Sequence, residues 1–196
     1  MSLLNKRKKH SVNSDSPFAI SEFSNIVLEY LHNYYNENYD NLIIVCIGTD
    51  RSTGDSLGPL VGDKLSSFMK WYPNVHLLGT LNEPVHAKNL EDKIKLINCS
   101  FSNPFIISID ASLGKSERIG YVTISTGPLK PGAGVNKDLP EIGDIHITGI
   151  VNMGGFMEYV VLQNTRLSIV MKMANVISKS ILFSLWKYYN GKENIL

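Results

Sequence analysis

Two aspartates, Asp55 and Asp110, offer the sharpest chemistry in this sequence. Carboxylates that converge on one site can share a proton, because the charge of one raises the pKa of the other. One can then take a proton from water while its partner donates a proton, which allows hydrolysis without a cofactor. Alternatively, both carboxylates and an imidazole could bind a divalent metal that activates water. His146 is the best third ligand for such a metal, and His86 is the reserve.

Each of these residues also has an ordinary structural role. Asp55 lies close to the start of a helical pattern, where a carboxylate can cap backbone amides. Asp110 lies at the end of an apolar run, where an aspartate can bond turn amides. The two histidines do not have the spacing of a metal-binding motif, and a hydrogen-bonded structural role is commoner for each of them. The single residues therefore leave catalysis, metal binding and plain structure open.

The stretch around Asp55 predicts a strand, a polar loop and a helix. Residues 42–47 are a continuous apolar run rich in β-branched side chains, which is typical of a buried strand in a parallel sheet. Ligands bind beyond the carboxyl ends of such strands, so the loop that follows is where chemistry is expected. Thr49, Gly54 and Gly58 belong to this stretch, and we expect them to shape the loop and contribute to substrate binding.

Two later strands would bring further polar groups to the same edge. Glu83 and His86 follow a predicted strand at residues 75–80, and Asp110 follows another at 104–109. If the connections are right-handed and the strands parallel, these groups lie beside Asp55, where we expect Glu83 and His86 to line the same edge and contribute to substrate binding.

The remaining elements complete an α/β pattern. A strand over residues 119–125 is predicted to be antiparallel and near an edge, and a last short strand over 143–148 carries His146. The Pro- and Gly-rich stretch 128–140 predicts a loop that covers the site or meets a partner. Strands alternate with helices along the chain, which predicts a three-layer α/β/α sandwich with a mainly parallel central sheet.

Length and charge set the domain organisation. The 196 residues fit a single domain over 18–196, and the basic residues 1–17 are expected to form a mobile tail. Nineteen Lys and Arg against 18 Asp and Glu give no electrostatic reason to expect nucleic acid or a membrane surface as a partner. Residues 167–189 are apolar but interrupted by three lysines, which predicts an amphipathic helix on the sheet and no membrane span.

Several other classes are not supported by the motifs. Cys46 and Cys99 form neither a disulfide framework nor a four-thiolate zinc site, and they fit a reducing compartment. The loop after residue 47 has neither the G-K-[ST] ending of a P-loop nor the glycine spacing of a dinucleotide site, and no G-x-S-x-G elbow occurs. The basic N-terminus lacks the apolar stretch of a signal peptide, so a cytoplasmic location is expected.

Four longer motifs add a resemblance. They are I-G-T-D-R-S-T-G-D-S-L-G-P, G-T-L-N-E-P-V-H-A-K-N-L, I-S-I-D-A-S-L-G and T-G-P-L-K-P-G-A-G-V-N-K-D-L-P-x-I-G-D. Together they resemble the YyaC family of sporulation proteins, from about residue 42 to the terminal helix. That family is similar to the germination protease of spore-forming bacteria, an aspartate-dependent endopeptidase that degrades small acid-soluble spore proteins. Its wider fold resembles the hydrogenase maturation endopeptidases and is phosphorylase/hydrolase-like.

The resemblance implies roles for particular residues. Asp55 and Asp110 stand at the positions of the two germination-protease aspartates, which implies that they are catalytic. Acidic residues at these places and a late histidine bind metal in the maturation enzymes, which implies a metal site of His146 with Asp55 and Asp110. Glutamate is frequent at the first position there, so Asp55 agrees better with the germination protease. The chain is much shorter than that protease and shows no recognisable propeptide.

The expected function is therefore a cytoplasmic peptidase, with the forespore as the compartment that the resemblance suggests. Its partner would be a protein or peptide substrate, with small acid-soluble spore proteins as the implied class, and no cofactor would be required. Two alternatives remain at this point: a non-catalytic sporulation protein that binds a peptide or metal in the same cleft, and a metal-dependent maturation-type endopeptidase. The sequence does not indicate an oligomeric state.

Overall fold

One mixed sheet of six strands organises the fold in the computed structural model, which describes residues 8–132 and 139–193. The strands are β1 (Lys9–Asn13), β2 (Leu42–Cys46), β3 (Val75–Leu78), β4 (Phe105–Gly114), β5 (Tyr121–Thr126) and β6 (Ile145–Met153). Their order in the sheet is β1-β5-β6-β4-β2-β3. Neighbours among β6, β4, β2 and β3 run parallel, whereas β5 pairs antiparallel with both β6 and β1.

Helices cover both faces of this sheet, so the architecture is the expected three-layer α/β sandwich. The helices are α1 (Ala19–Tyr34), α2 (Leu57–Ser66), α3 (Leu90–Ser100), α4 (Glu158–Gln163) and α5 (Leu167–Glu193). Ile44 and Cys46 of the central strand β2 point into a core shared with α1, α2 and α5. Ile43 and Val45 point the other way, into a smaller core that contains Leu90 of α3. This burial on both faces explains why residues 42–47 are continuously apolar.

The N-terminal segment corrects one expectation. Residues 1–17 were expected to form a mobile tail; residues 1–7 lie outside the described residues, but Lys9–Asn13 form the edge strand β1, paired in register with β5. Val12 is buried in the main core, and the Ser11 hydroxyl bonds the Thr123 hydroxyl at 2.9 Å. Only one of the five residues in β1 is buried, so the strand has almost no signal of its own and forms because β5 offers an open edge.

The strand that carries Asp110 is longer than predicted. The sequence suggests a strand that ends at residue 109 with a turn directly afterwards, whereas β4 continues to Gly114. The extension pairs with β6, which itself runs to Met153 instead of ending near residue 148. Asp110 is therefore held inside a paired strand with a neighbour on β6, and it is not a turn residue.

The last helix, α5, is long and apolar enough to cross a membrane when only its length and composition are considered. This property belongs to residues 167–191, and half of their most apolar stretch is buried inside the protein. Met173 and Ile177 belong to the main core, so the helix packs on the sheet as the sequence predicts. A buried core helix of a protein without a membrane span can have the same length and composition, so these two properties do not identify a span.

Candidate active site

The loop that carries Asp55 is held against the end of β2 by close backbone contacts. Asp55 lies in a short 3-10 turn, Gly54–Ser56, directly before α2. Its carbonyl oxygen accepts a hydrogen bond of 3.1 Å from the Thr49 amide, which closes the loop. Gly58 follows, and a Cβ there would lie 2.0 Å from the Ile47 carbonyl oxygen. Gly58 therefore allows the first turn of α2 to contact the end of the strand. This contact fixes the position of the turn that contains Asp55.

Gly54 brings a second element to the same place. A Cβ at Gly54 would lie 2.8 Å from the Leu162 side chain and 2.9 Å from the Thr165 hydroxyl. The missing side chain lets the end of α4 pack directly on the Asp55 turn. Gly54 and Gly58 were predicted to shape the loop and bind substrate; both are buried, in close contact with the neighbouring elements that hold the Asp55 turn.

Asp110 is a nearly buried carboxyl group in the middle of the sheet. Its side chain is 7% exposed, and the residue pairs with Thr148 across the β4–β6 ladder. One carboxylate oxygen accepts a hydrogen bond of 2.8 Å from the Ala111 amide. Burial raises the pKa of Asp110 well above its usual value, and the nearby charge of Asp55 raises it further, while the Ala111 bond opposes both. Asp110 is therefore biased toward its protonated form.

Asp55 and Asp110 line one cavity, as the sequence predicts. This cavity has a volume of about 270 Å³ and is called the inner cavity here. The two carboxyl groups come from different strands, β2 with its following loop and β4, whose carboxyl ends meet at this edge of the sheet. Asp55 is half-buried and Asp110 is buried, so the two groups differ in their access to solvent. The other lining residues are Ala111, Ser112, Leu113, Leu129, Lys130, Gly132, Thr148 and Leu162.

A second cavity, called the outer cavity here, is also lined by Asp55. Its volume is about 380 Å³, and it shares Asp55 and Leu162 with the inner cavity. The Ser52 hydroxyl and the His86 Nδ1 atom are buried and make no hydrogen bond to any described residue. Two cations, Arg51 and Lys88, also line this space, and the remaining lining residues are Thr49, Ala87 and Tyr159. The two cavities are therefore adjacent, with Asp55 and Leu162 in the lining of both, and together they are called the cleft here.

Not all of the predicted residues meet at this cleft. Thr49 and His86 line it, whereas Glu83 is exposed, lines neither cavity and uses its amide to bond the Thr80 hydroxyl at 3.1 Å. His146 also lines neither cavity, and its Nδ1 donates a 2.8 Å hydrogen bond to the Gly127 carbonyl oxygen. The predicted metal trio of His146 with Asp55 and Asp110 is not assembled: within residues 8–132 and 139–193, no three His, Cys, Asp or Glu side chains are grouped so as to hold a metal ion.

Other lining residues were not singled out from the sequence. Tyr159 and Leu162 reach the cleft from α4, about a hundred residues after Asp55, and no local pattern links the two segments. Lys88 follows His86 closely and could have been found from the same polar stretch. Leu129, Lys130 and Gly132, at the start of the Pro- and Gly-rich loop, line the inner cavity, and residues 133–138 of that loop lie outside the described residues.

Comparison with known proteins identifies the family. A family model described as "Protein of unknown function (DUF1256)" matches residues 11–180. The chain belongs to this family. A curated relative, "Uncharacterized protein YyaC" of Bacillus subtilis (strain 168), is 59% identical over 140 residues, which cover 71% of this chain and 67% of the relative. The predicted resemblance to YyaC is thereby confirmed.

One solved structure has a similar overall arrangement. It is the crystal structure of the [NiFe] hydrogenase maturation protease HycI from Thermococcus kodakarensis KOD1. The similarity covers 80% of this DUF1256 chain and 99% of the other chain, with 17% sequence identity and a TM-score of 0.47.

The arrangement of this DUF1256 cleft suits acid–base chemistry. A carboxyl group biased toward protonation lies in the same cavity as a more exposed carboxylate, so one can donate a proton where the other accepts one. Asp55 lines both the inner cavity of about 270 Å³ and the outer cavity of about 380 Å³, so space for a bound molecule adjoins this carboxylate in each of them.

Proposed function

We propose that this protein is an aspartate-dependent peptidase in which Asp55 and Asp110 activate water for peptide hydrolysis. The observation that carries the proposal is the shared cavity of the two carboxyl groups, with Asp110 buried and Asp55 more exposed. Pairs of titratable groups whose surroundings push their pKa values apart commonly divide the roles of acid and base.

In the proposed reaction, the Asp55 carboxylate takes a proton from water as the water oxygen attacks the peptide carbonyl carbon. Asp110 donates its proton to the peptide nitrogen as the C–N bond breaks, which releases an amine and a carboxylic acid. A proton then passes from Asp55 to Asp110 to restore the starting state. Both protons are held by side chains of the chain, so the reaction as proposed needs no cofactor.

The proposed substrate class is a protein or peptide in extended form. Two adjacent cavities that share Asp55 and Leu162 support this class, because an extended chain can place neighbouring residues in each of them. The motif resemblance makes small acid-soluble spore proteins the first substrates to test, in the cytoplasm of a sporulating cell. A non-catalytic protein that binds a peptide in this cleft is the competing proposal, and a metal-dependent endopeptidase is the third.

Cleavage of small acid-soluble spore proteins by the purified protein tests the proposal. Mass spectrometry would detect new termini, and we expect Asp55→Asn and Asp110→Asn each to lower the rate by at least about a hundredfold, as is typical when a general acid or base is lost. Asp50→Asn is the matched control, because Asp50 is an exposed aspartate in the same loop that lines neither cavity.

The alternatives give different results in the same assay. Full cleavage by either the Asp55→Asn or the Asp110→Asn protein would overturn the carboxyl-pair mechanism. Loss of activity in EDTA and its recovery with a divalent metal would favour the metal-dependent enzyme. Binding of the substrate without any new terminus would favour the non-catalytic protein.

A further inference from the structure

An exposed apolar surface borders the proposed active site. Five large apolar side chains are solvent-exposed within the eight residues 153–160, with Phe156 at 82% exposure and Tyr159 at 66%. Concentrations of exposed apolar surface of this kind usually mark an interaction site. We define the apolar strip by these five residues: Met153, Phe156, Met157, Tyr159 and Val160.

The backbone holds the strip outward in a conformation that apolar side chains rarely adopt. Met157 has φ 47° and ψ 44°, in the left-handed region, at the start of α4. A non-glycine residue in this region is uncommon, and such strain clusters at binding and catalytic sites. The Met157 side chain is exposed, so burial of this side chain does not compensate for the backbone strain. The strain and the exposure thus coincide at one residue.

Hydrogen bonds fix both ends of the strip to the sheet. The Gly154 amide donates to the Gly114 carbonyl oxygen at 2.8 Å, at the end of the strand that carries Asp110. The Asn152 side-chain amide donates to the Val161 carbonyl at 3.3 Å and to the Thr165 hydroxyl at 3.2 Å. The strip is therefore a positioned surface on the rim of the cleft.

The strip is continuous with the cleft through α4. Tyr159 belongs to both, since it lines the outer cavity, and Leu162 on the same helix lines both cavities and packs on Gly54 beside Asp55. A chain that leaves the cleft on this side meets Tyr159 first and the rest of the strip next.

The chemistry of the strip favours an apolar polypeptide as its occupant. Glu158 is the only charged residue between 153 and 165, and its carboxylate accepts a hydrogen bond of 3.1 Å from the Gly155 amide. An anionic membrane surface would instead be expected to select lysines and arginines beside the apolar groups. Met153 and Met157 are flexible and adapt to apolar partners of different shape.

We propose that the apolar strip binds an apolar segment of the substrate polypeptide, outside the peptide bond that is cut. This inference rests on the proposed function, because it takes the bound polypeptide to be a substrate. The binding itself does not require catalysis. It assigns the strip a role in capturing the substrate and in holding the adjoining chain across Asp55.

Peptide binding measured in an Asp55→Asn background tests the inference without cleavage. The probes are two fluorescein-labelled Gly/Ser peptides, one with a central Leu-Phe-Leu segment and one with Ser-Gln-Ser in its place, followed by fluorescence anisotropy. We expect the Leu-Phe-Leu peptide to bind more tightly, and adding Phe156→Ser and Tyr159→Ser to weaken it by about tenfold or more, because aromatic contact area is lost.

The matched control removes exposed aromatic surface elsewhere. Trp71 and Trp186 are 70% and 54% exposed and line a separate groove, so Trp71→Ser with Trp186→Ser should leave the affinity unchanged. Circular dichroism and thermal unfolding would check that all variants fold.

Three outcomes would overturn the inference. They are equal binding of the two peptides, equal losses in the strip and control variants, and a strip-dependent dimer in sedimentation velocity without peptide binding. Loss of binding in the strip variants would uphold the inference even if the protein with Asp55 intact cleaves nothing, so its failure and the failure of the peptidase proposal are distinguishable.

Discussion

The buried carboxyl group of Asp110 lowers the stability of the folded protein at neutral pH. This carboxyl group is hydrogen-bonded to only one described group, the Ala111 amide, and its pKa is raised chiefly by burial. Between the ordinary aspartate pKa of about 3.9 and the raised native value, the folded chain binds a proton that the unfolded chain releases. Stability from this group is therefore greatest below about pH 4 and falls as the pH rises toward the native pKa.

Asp110→Asn should consequently stabilise the protein at neutral pH. The asparagine side chain still has an oxygen that can accept the hydrogen bond from the Ala111 backbone amide. The substitution also removes an ionisable group from the core. The expected gain is about 1.4 kcal/mol for each unit by which the native pKa exceeds the unfolded one, and each kcal/mol raises Tm by about 2–4 °C in a domain of this size. Thermal unfolding of both proteins between pH 4 and pH 8 measures the difference.

The difference should grow with pH and be small near pH 4. Asp63→Asn is the control, because Asp63 is an exposed aspartate on α2 and its replacement should not change Tm appreciably. A Tm of Asp110→Asn that is equal to or lower than that of the unsubstituted protein at every pH would contradict the account of Asp110.

The Asp55 turn depends on contacts between whole elements. α2 begins against the end of β2 at Gly58, where a Cβ would lie 2.0 Å from the Ile47 carbonyl oxygen. α4 closes on the same turn through Leu162 at Gly54. The position of the carboxylate is thus set by how closely a helix, a strand and a second helix approach one another.

Gly58→Ala tests this arrangement. The added methyl group has to displace the backbone, so we expect a loss of about 1–3 kcal/mol in the free energy of unfolding, as overpacked sites typically show. Urea denaturation measures the loss, and any peptidase activity should fall with it because the Asp55 turn moves.

Gly191→Ala provides the comparison. Gly191 also lies in a helix, but a Cβ there has nothing within 4 Å. Alanine is the better helix former, so this change should leave the stability equal or slightly higher. Equal effects of the two alanines would show that the contact at Gly58 does not position the turn.

Across the whole molecule, the arrangement of strands and helices could be predicted wherever burial leaves a pattern of apolar residues in the sequence. The apolar run of β2 and the alternation of strands and helices predicted the layers, and the strand ends predicted that Asp55 and Asp110 meet. The predictions that failed concerned features without a local signal in the sequence. β1 contains one buried residue and depends on the open edge of β5, and the extension of β4 to Gly114 depends on pairing with β6.

The same distinction applies to the cleft. Thr49 and His86 were found because they follow strands in sequence, whereas Tyr159 and Leu162 arrive through the packing of α4 on Gly54. His146 was placed in the site because it lies on the last strand, but it precedes Thr148, the partner of Asp110, by two residues and bonds Gly127 instead. Strand order brings residues to an edge, and register decides which of them share a cavity.

The coupling of Asp110 to Asp55 is the claim on which the proposed chemistry depends, and NMR can measure it before any substrate is known. The Asp110 carboxyl carbon would be titrated in protein labelled with ¹³C-aspartate, with the signal assigned by its absence from Asp110→Asn. We expect its pKa to lie well above the usual value and to fall in Asp55→Asn, while staying raised because burial is the larger cause. An Asp110 signal that titrates near pH 4, or one that is unchanged by Asp55→Asn, would contradict the carboxyl pair.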